Sequence, residues 1–269
     1  MAICLISACC SVLCLVLLML RSHGFGFALL ISLGVFILLH LACFLFFSLV
    51  GTTVPKDRPV KKQNRICRFG ISMMAETICL YAGIRAVVTG TEKIPTDSRF
   101  LFVCNHRSLF DPVVVMDKLR DYNISFISKP SNMNIPLFGN LGYAAGYLPI
   151  DRENNREALK TILTAADYMK RDLCSIGIFP EGTRSKTLDL LPFHAGSFKT
   201  AQKASVPIVV ASIRGSEKKR AKPLTPADVY LDILECIPAE TVKVMRTDAL
   251  SQHVQELIRA DLAKGQSEG

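Results

Sequence analysis

Asn105-His106-Arg107-Ser108-Leu109-Phe110-Asp111 stands between two apolar runs, Phe100-Leu101-Phe102-Val103-Cys104 before it and Pro112-Val113-Val114-Val115-Met116 after it. The first run is short and unbroken, the pattern of a buried strand. Asp111 before Pro112 reads as a helix N-cap followed by proline at the first helical position. His106 then belongs where a strand ends and Asp111 where the next helix begins, so a tight connection can bring the two side chains together. A carboxylate bonded to one imidazole nitrogen fixes the tautomer and leaves the other nitrogen free to take a proton. A general base that activates a hydroxyl needs that arrangement. Alone, the same pair is what a strand-end histidine and a helix cap would leave in any chain.

A second stretch adds weight. Phe179-Pro180-Glu181-Gly182-Thr183-Arg184 follows another short apolar run, Ser175-Ile176-Gly177-Ile178, that also reads as a strand. Both stretches can leave the same edge of one sheet, and ligands of open α/β sheets bind beyond the strand carboxyl ends.

The chain has 269 residues, half of them hydrophobic, enough for one substantial core and something more. The addition lies at the start. Ile3 to Leu20 is apolar apart from small serines, and Phe25 to Val50 is a longer apolar run. About 20 apolar residues in a helix cross the hydrocarbon layer. With the polar turn Arg21-Ser22-His23-Gly24 between them, the runs predict a membrane hairpin. A secretory signal would need a basic leading segment, which Met1-Ala2-Ile3-Cys4 lacks. Lys56, Arg58, Lys61, Lys62, Arg65 and Arg68 follow, with only Asp57 against them. Such residues beside a span hold that side in the cytoplasm and favour anionic head groups. The net charge of +9 comes without a groove-reading motif, which favours lipid over nucleic acid as partner. Of the cysteines, Cys4, Cys9, Cys10, Cys14 and Cys43 lie in the apolar hairpin. No Cys-x-x-Cys occurs, so neither a metal site nor a redox pair is indicated. Cys104, two residues before His106, reads as core rather than as a nucleophile.

The remainder alternates. Helices are expected over 71–84, 112–120, 135–141 and 154–172, with a last one carrying Leu250, Val254, Leu257, Ile258 and Leu262. Strands are expected over 85–90, 100–104, 124–128, 146–150, 175–178, 206–213 and 229–236. Pro149 puts the fourth of these at a sheet edge or strand end. The tail 265–269 should fray. Alternation of this kind predicts an α/β domain, a mixed sheet flanked by helices. The chain divides into a hydrophobic hairpin (1–51), a basic juxtamembrane linker with an interfacial helix (52–84) and an α/β domain (85–264).

The two stretches resemble the first and third signatures of the glycerolipid acyltransferase family. Gly146-Tyr147-Leu148-Pro149-Ile150-Asp151-Arg152 is similar to its second, and Val206-Pro207-Ile208-Val209-Val210 to its fourth, where the family often has a second proline in place of Val210. Within the family the chain most resembles the bacterial lysophosphatidate acyltransferases. The resemblance implies transfer of a fatty acyl group to the 2-hydroxyl of 1-acylglycerol-3-phosphate, forming phosphatidate at the cytoplasmic face of a bacterial plasma membrane. The donor would be acyl-CoA or acyl-carrier protein, a substrate rather than a cofactor, and no cofactor or metal is implied.

On this reading His106 is the base and Asp111 its orienting partner. Arg184 suits the acceptor phosphate, because guanidinium binds such groups bidentately. Lys129 and Arg152 are further phosphate candidates, although Lys129-Pro130-Ser131-Asn132 departs from the family's Lys-x-Glu-Leu run. The resemblance places Glu181, with Gly182 and Thr183, in the acceptor site. Asn105 and Ser108 are expected to hydrogen-bond the His-Asp loop, and His194 to be surface or capping. The alternatives are a sibling enzyme acting on glycerol-3-phosphate or another lysolipid, a serine hydrolase, and a non-catalytic lipid-binding membrane protein. Ala195-Gly196-Ser197-Phe198-Lys199 lacks the second glycine of a nucleophile elbow, which argues against the hydrolase.

Overall fold

A computed structural model describes residues 2–21, 24–56, 59–136, 138–185, 187, 189–220 and 225–267. Ser22 and His23 of the expected turn, Asp57 and Arg58 of the basic cluster, Leu137 and the last two residues lie outside that set. Helix α1 spans Ala2–Leu20 and α2 spans Phe25–Thr52, and the two pack on each other. Among the described residues only α2, with 28 residues, is long and apolar enough to cross a membrane. Its companion α1 has 19 residues, apolar apart from two serines. The expected hairpin thus appears as a packed pair of helices, of which α2 has the length and composition of a span.

Helix α3, Arg65–Tyr81, begins six residues before its predicted start because Asn64 caps it, accepting from the amides of Ile66 and Cys67. It buries Cys67, Ile71, Met73 and Cys79 and leaves Ile66 and Phe69 exposed. The segment before it is not a loose linker. Buried Gln63 donates to Asn123 Oδ1 and Ala145 O, and the Val60 amide donates to Tyr168 Oη at 2.8 Å.

The sheet has seven strands: β1 Ile84–Thr89, β2 Leu101–Cys104, β3 Ile124–Ser128, β4 Leu148–Pro149, β5 Ser175–Ile178, β6 Ile208–Arg214 and β7 Ala227–Ile237. Their order is β1-β7-β6-β2-β5-β3-β4, parallel throughout except for β6 against β7. The sheet is mixed, as expected, and β4 with its Pro149 is an edge. Central β2 and β5 are buried on both faces, which is why their sequences are continuous apolar runs rather than alternating ones.

Alternate side chains of β2 feed two cores. Phe102 and Cys104 pack with α3 and with α4, Phe110–Lys118. Leu101 and Val103 pack with α6, Asn155–Lys170, and with the C-terminal helix α9, Thr247–Ser267. Helix α5, Phe138–Ala144, lies against α2. Short helices α7, Lys199–Ala204, and α8, Ala239–Val244, complete the described elements. Helix α9 continues to Ser267, and the last two residues of the tail expected to fray lie outside the described residues.

Candidate active site

Parallel pairing builds the site. Val103 of β2 lies beside Ile178 of β5, Phe126 of β3 beside Gly177 of β5, and Ser128 of β3 beside Pro149 of β4. Chain leaving these four neighbouring strands therefore emerges at one edge. His106 follows β2, Glu181 to Arg184 follow β5, Lys129 follows β3 and Arg152 follows β4. His106, Lys129, Arg152, Gly182, Thr183 and Arg184 all line one cavity of about 760 Å³.

His106 Nδ1 lies 2.9 Å from Asp111 Oδ2. With Nδ1–H donated to that carboxylate, Nε2 carries the lone pair. The imidazole keeps 18 % exposure, enough to meet a substrate, whereas Asp111 is fully buried. Asp111 Oδ2 also accepts the amides of Arg107 at 2.6 Å and Ser108 at 2.7 Å, and Oδ1 accepts the Ser216 hydroxyl. These donors satisfy a charge that burial alone would not tolerate. Asp111 is not the N-cap expected from the Asp-Pro pair: α4 starts at Phe110 with Leu109 before it, and Asp111 reaches back from the first turn. Ser108 braces the loop as expected, its hydroxyl accepting the Phe110 amide. Asn105 acts differently: its side chain exchanges two hydrogen bonds with the Ile213 backbone and pins the end of β2 to β6.

Phe179 stacks on the His106 ring with centroids 4.3 Å apart, and Phe126 stacks on Phe179 at 5.4 Å. This aromatic wall limits rotation of the imidazole. No local pattern announces it, because the contact arises only from β2, β5 and β3 being neighbours.

Glu181, expected in the acceptor site, is buried and does not line the cavity. Its Oε1 accepts the His106 amide and its Oε2 the Leu191 amide, so it clamps the loop after β5 to the loop after β2. Burial pushes its carboxyl above the usual range against the pull of those two donors. Gly182 turns the loop with φ +73°, and a Cβ there would lie 2.8 Å from Arg152 Nη1 and 3.0 Å from His194 Nε2. Both side chains occupy the space a Cβ would need, so any residue other than glycine would be strained as well as crowded. His194, exposed as expected, lies beside this loop without capping the turn it precedes. Cys104 is buried, and burial pushes its thiol well up, which disfavours a nucleophilic thiolate.

Most of the remaining wall is apolar, with Thr77, Ser128 and Asn132 among the polar exceptions. Phe44 of α2, Met74 and Ile78 of α3, Val113 and Met116 of α4 and Phe138 of α5 contribute to it. The His106–Asp111 pair, three basic side chains and a largely apolar chamber thus meet in one place, which suits an anionic amphiphile.

The acyltransferase family model matches residues 85–214. The 1-acyl-sn-glycerol-3-phosphate acyltransferase of Salmonella typhimurium is 32% identical over 167 residues, 61% of this chain and 67% of that protein. The Escherichia coli protein of the same name is 35% identical over 129 residues, 46% of this chain and 52% of that protein. The crystal structure of the 1-acyl-sn-glycerophosphate acyltransferase PlsC of Thermotoga maritima superposes with a TM-score of 0.60 at 22% identity, covering 84% of this chain and 95% of that one. At that identity the likeness concerns the fold.

Proposed function

The chain belongs to the acyltransferase family, and from that membership we propose that it moves a fatty acyl group from a thioester donor to the sn-2 hydroxyl of 1-acylglycerol-3-phosphate, yielding phosphatidate. The observation that carries this reading is the single cavity holding both His106 and Arg184.

His106 Nε2 takes the proton of the acceptor hydroxyl as its oxygen attacks the thioester carbonyl carbon. Asp111 holds the ring and stabilises the imidazolium. Collapse of the tetrahedral adduct breaks the carbon–sulfur bond, and the imidazolium returns its proton to the departing thiolate. The acceptor brings its own nucleophile, so no acyl-enzyme is required, and alignment of two bound substrates supplies much of the rate. Arg184, Lys129 and Arg152 neutralise the acceptor phosphate, and the apolar wall takes its chain. Thr183 lines the same cavity. Glu181 serves by positioning His106 through its amide.

The donor is acyl-CoA or acyl-carrier protein, and the chemistry calls for no cofactor or metal. Exposed Lys61, Lys62 and Arg65 follow α2 and suit anionic head groups on the cytoplasmic face. The test is incubation of the purified full chain with oleoyl-CoA and a panel of lysophospholipids and glycerol-3-phosphate, with products identified by mass. Phosphatidate from lysophosphatidate is the expected product. H106A should lose turnover by about 10²- to 10⁴-fold while still inserting into vesicles. Wild-type turnover in H106A would remove the general base from the account.

A further inference from the structure

Ser216 lies outside all four signature stretches, yet its hydroxyl donates to Asp111 Oδ1 at 2.5 Å across 105 residues of sequence. Both groups are fully buried. We propose that Ser216 is a positioning residue of the acyl transfer, acting through Asp111 on the His106 imidazole. The inference rests on the His106 reading above.

The carboxylate explains why such a donor matters. Asp111 Oδ2 receives the imidazole and two backbone amides. A carboxylate that rotates about its Cβ–Cγ bond would carry Oδ2 out of line with Nδ1. Anchoring Oδ1 stops that rotation and answers the second oxygen's need for a donor in a buried place. Outer partners of this kind orient the groups that do chemistry.

The hydroxyl is itself held on a preset scaffold. Strand β6 runs parallel to β2, with Ala211 beside Cys104, so the chain beyond Arg214 emerges at the same edge as His106. Gly215 then turns with φ +87°, and its position for a Cβ lies 2.2 Å from the Asp228 carbonyl oxygen, so only glycine fits. Beyond Ser216, buried Lys219 donates to the carbonyls of Ala82 and Thr225, and its ammonium sits 5.9 Å from the Phe110 ring centroid. Glu217 approaches the guanidinium of Arg107 at 3.9 Å. The turn is thus fastened to both ends of the His-Asp loop and presents Ser216 to Asp111 from a fixed base.

The experiment uses the full chain in lipid vesicles and compares S216A, S216C, S216T, S212A and H106A by kcat, KM for lysophosphatidate and thermal melting. Ser212 is the internal control: a buried β6 hydroxyl that donates to Asp261 of α9 rather than to the dyad. S216A should lower kcat by about 10- to 100-fold, as loss of an outer partner does. Its KM should stay within about twofold, because only the reacting geometry is disturbed. S216T keeps the hydroxyl and should recover most of kcat. S212A should lower the melting temperature and leave kcat unchanged. S216C keeps the volume with a weak donor and carries the test if S216A does not fold. Wild-type kcat in S216A or S216C, with H106A inactive, overturns the role of Ser216 and leaves the base standing. Wild-type turnover in H106A overturns both.

Discussion

Arg184 and Glu181 are three residues apart and do opposite work. Glu181 is buried and gives both oxygens to backbone amides, while Arg184 stands exposed at the cavity wall. Replacing Arg184 with alanine should raise KM for lysophosphatidate by about 10- to 100-fold, the worth of a charge-assisted hydrogen bond, with a smaller change in kcat. Lysine should recover only part, since it cannot bind phosphate bidentately. Steady-state kinetics with the acceptor varied checks both, and an R184A enzyme with unchanged KM would remove Arg184 from the phosphate site. Residues of this kind were legible because their signal is local: His106 and Asp111 sit a loop apart, and Glu181 to Arg184 are contiguous. The actual contacts of Glu181 were not, because its partners are an amide from a different strand end and another ten residues on. Phe179 on His106 and Ser216 on Asp111 were invisible for the same reason, since each depends on which strands are neighbours.

At the level of elements, apolar runs located every strand to within a few residues, and β3 matched its expected range. The order of the sheet was not readable, because strand pairing is settled by contacts distant in sequence. The short helix α8 was missed, six residues being too few to display a helical period. Helix α3 was placed late because its cap, Asn64, precedes the apolar stretch that signalled it. N64A should destabilise the protein by about 1 kcal/mol through loss of that cap, read as a lower melting temperature. The segment before α3 offers a pH handle. Tyr168 accepts the Val60 amide, and burial raises its phenol from 10.0 to about 12. A folded-state pKa above the unfolded one contributes stability that is complete below pH 10 and is lost as pH rises through about 12. Alkaline unfolding followed with phenolate absorbance should show this step, and Y168F should lack it. An unchanged alkaline profile in Y168F would detach that segment from the phenol.

For the whole molecule, the composition of the cavity wall matters more than its size. Ile78 of α3 belongs to its apolar part, and a tryptophan there should narrow the chamber. I78W should therefore lose more turnover on oleoyl than on lauroyl substrates, whereas wild-type enzyme should accept both; equal losses would put the chain elsewhere. Phe44 belongs at once to this chamber and to α2, the helix suited to lie in a bilayer, while Phe47 one turn on joins the core beneath the sheet. On the proposed function, with α2 in a bilayer, a lysolipid would slide sideways out of its leaflet, have its glycerol end esterified, and slip back, its tail dry from start to finish. Catalysis on such terms is two-dimensional: its pace should follow the mole fraction of acceptor within the lipid sheet rather than the amount suspended in the tube.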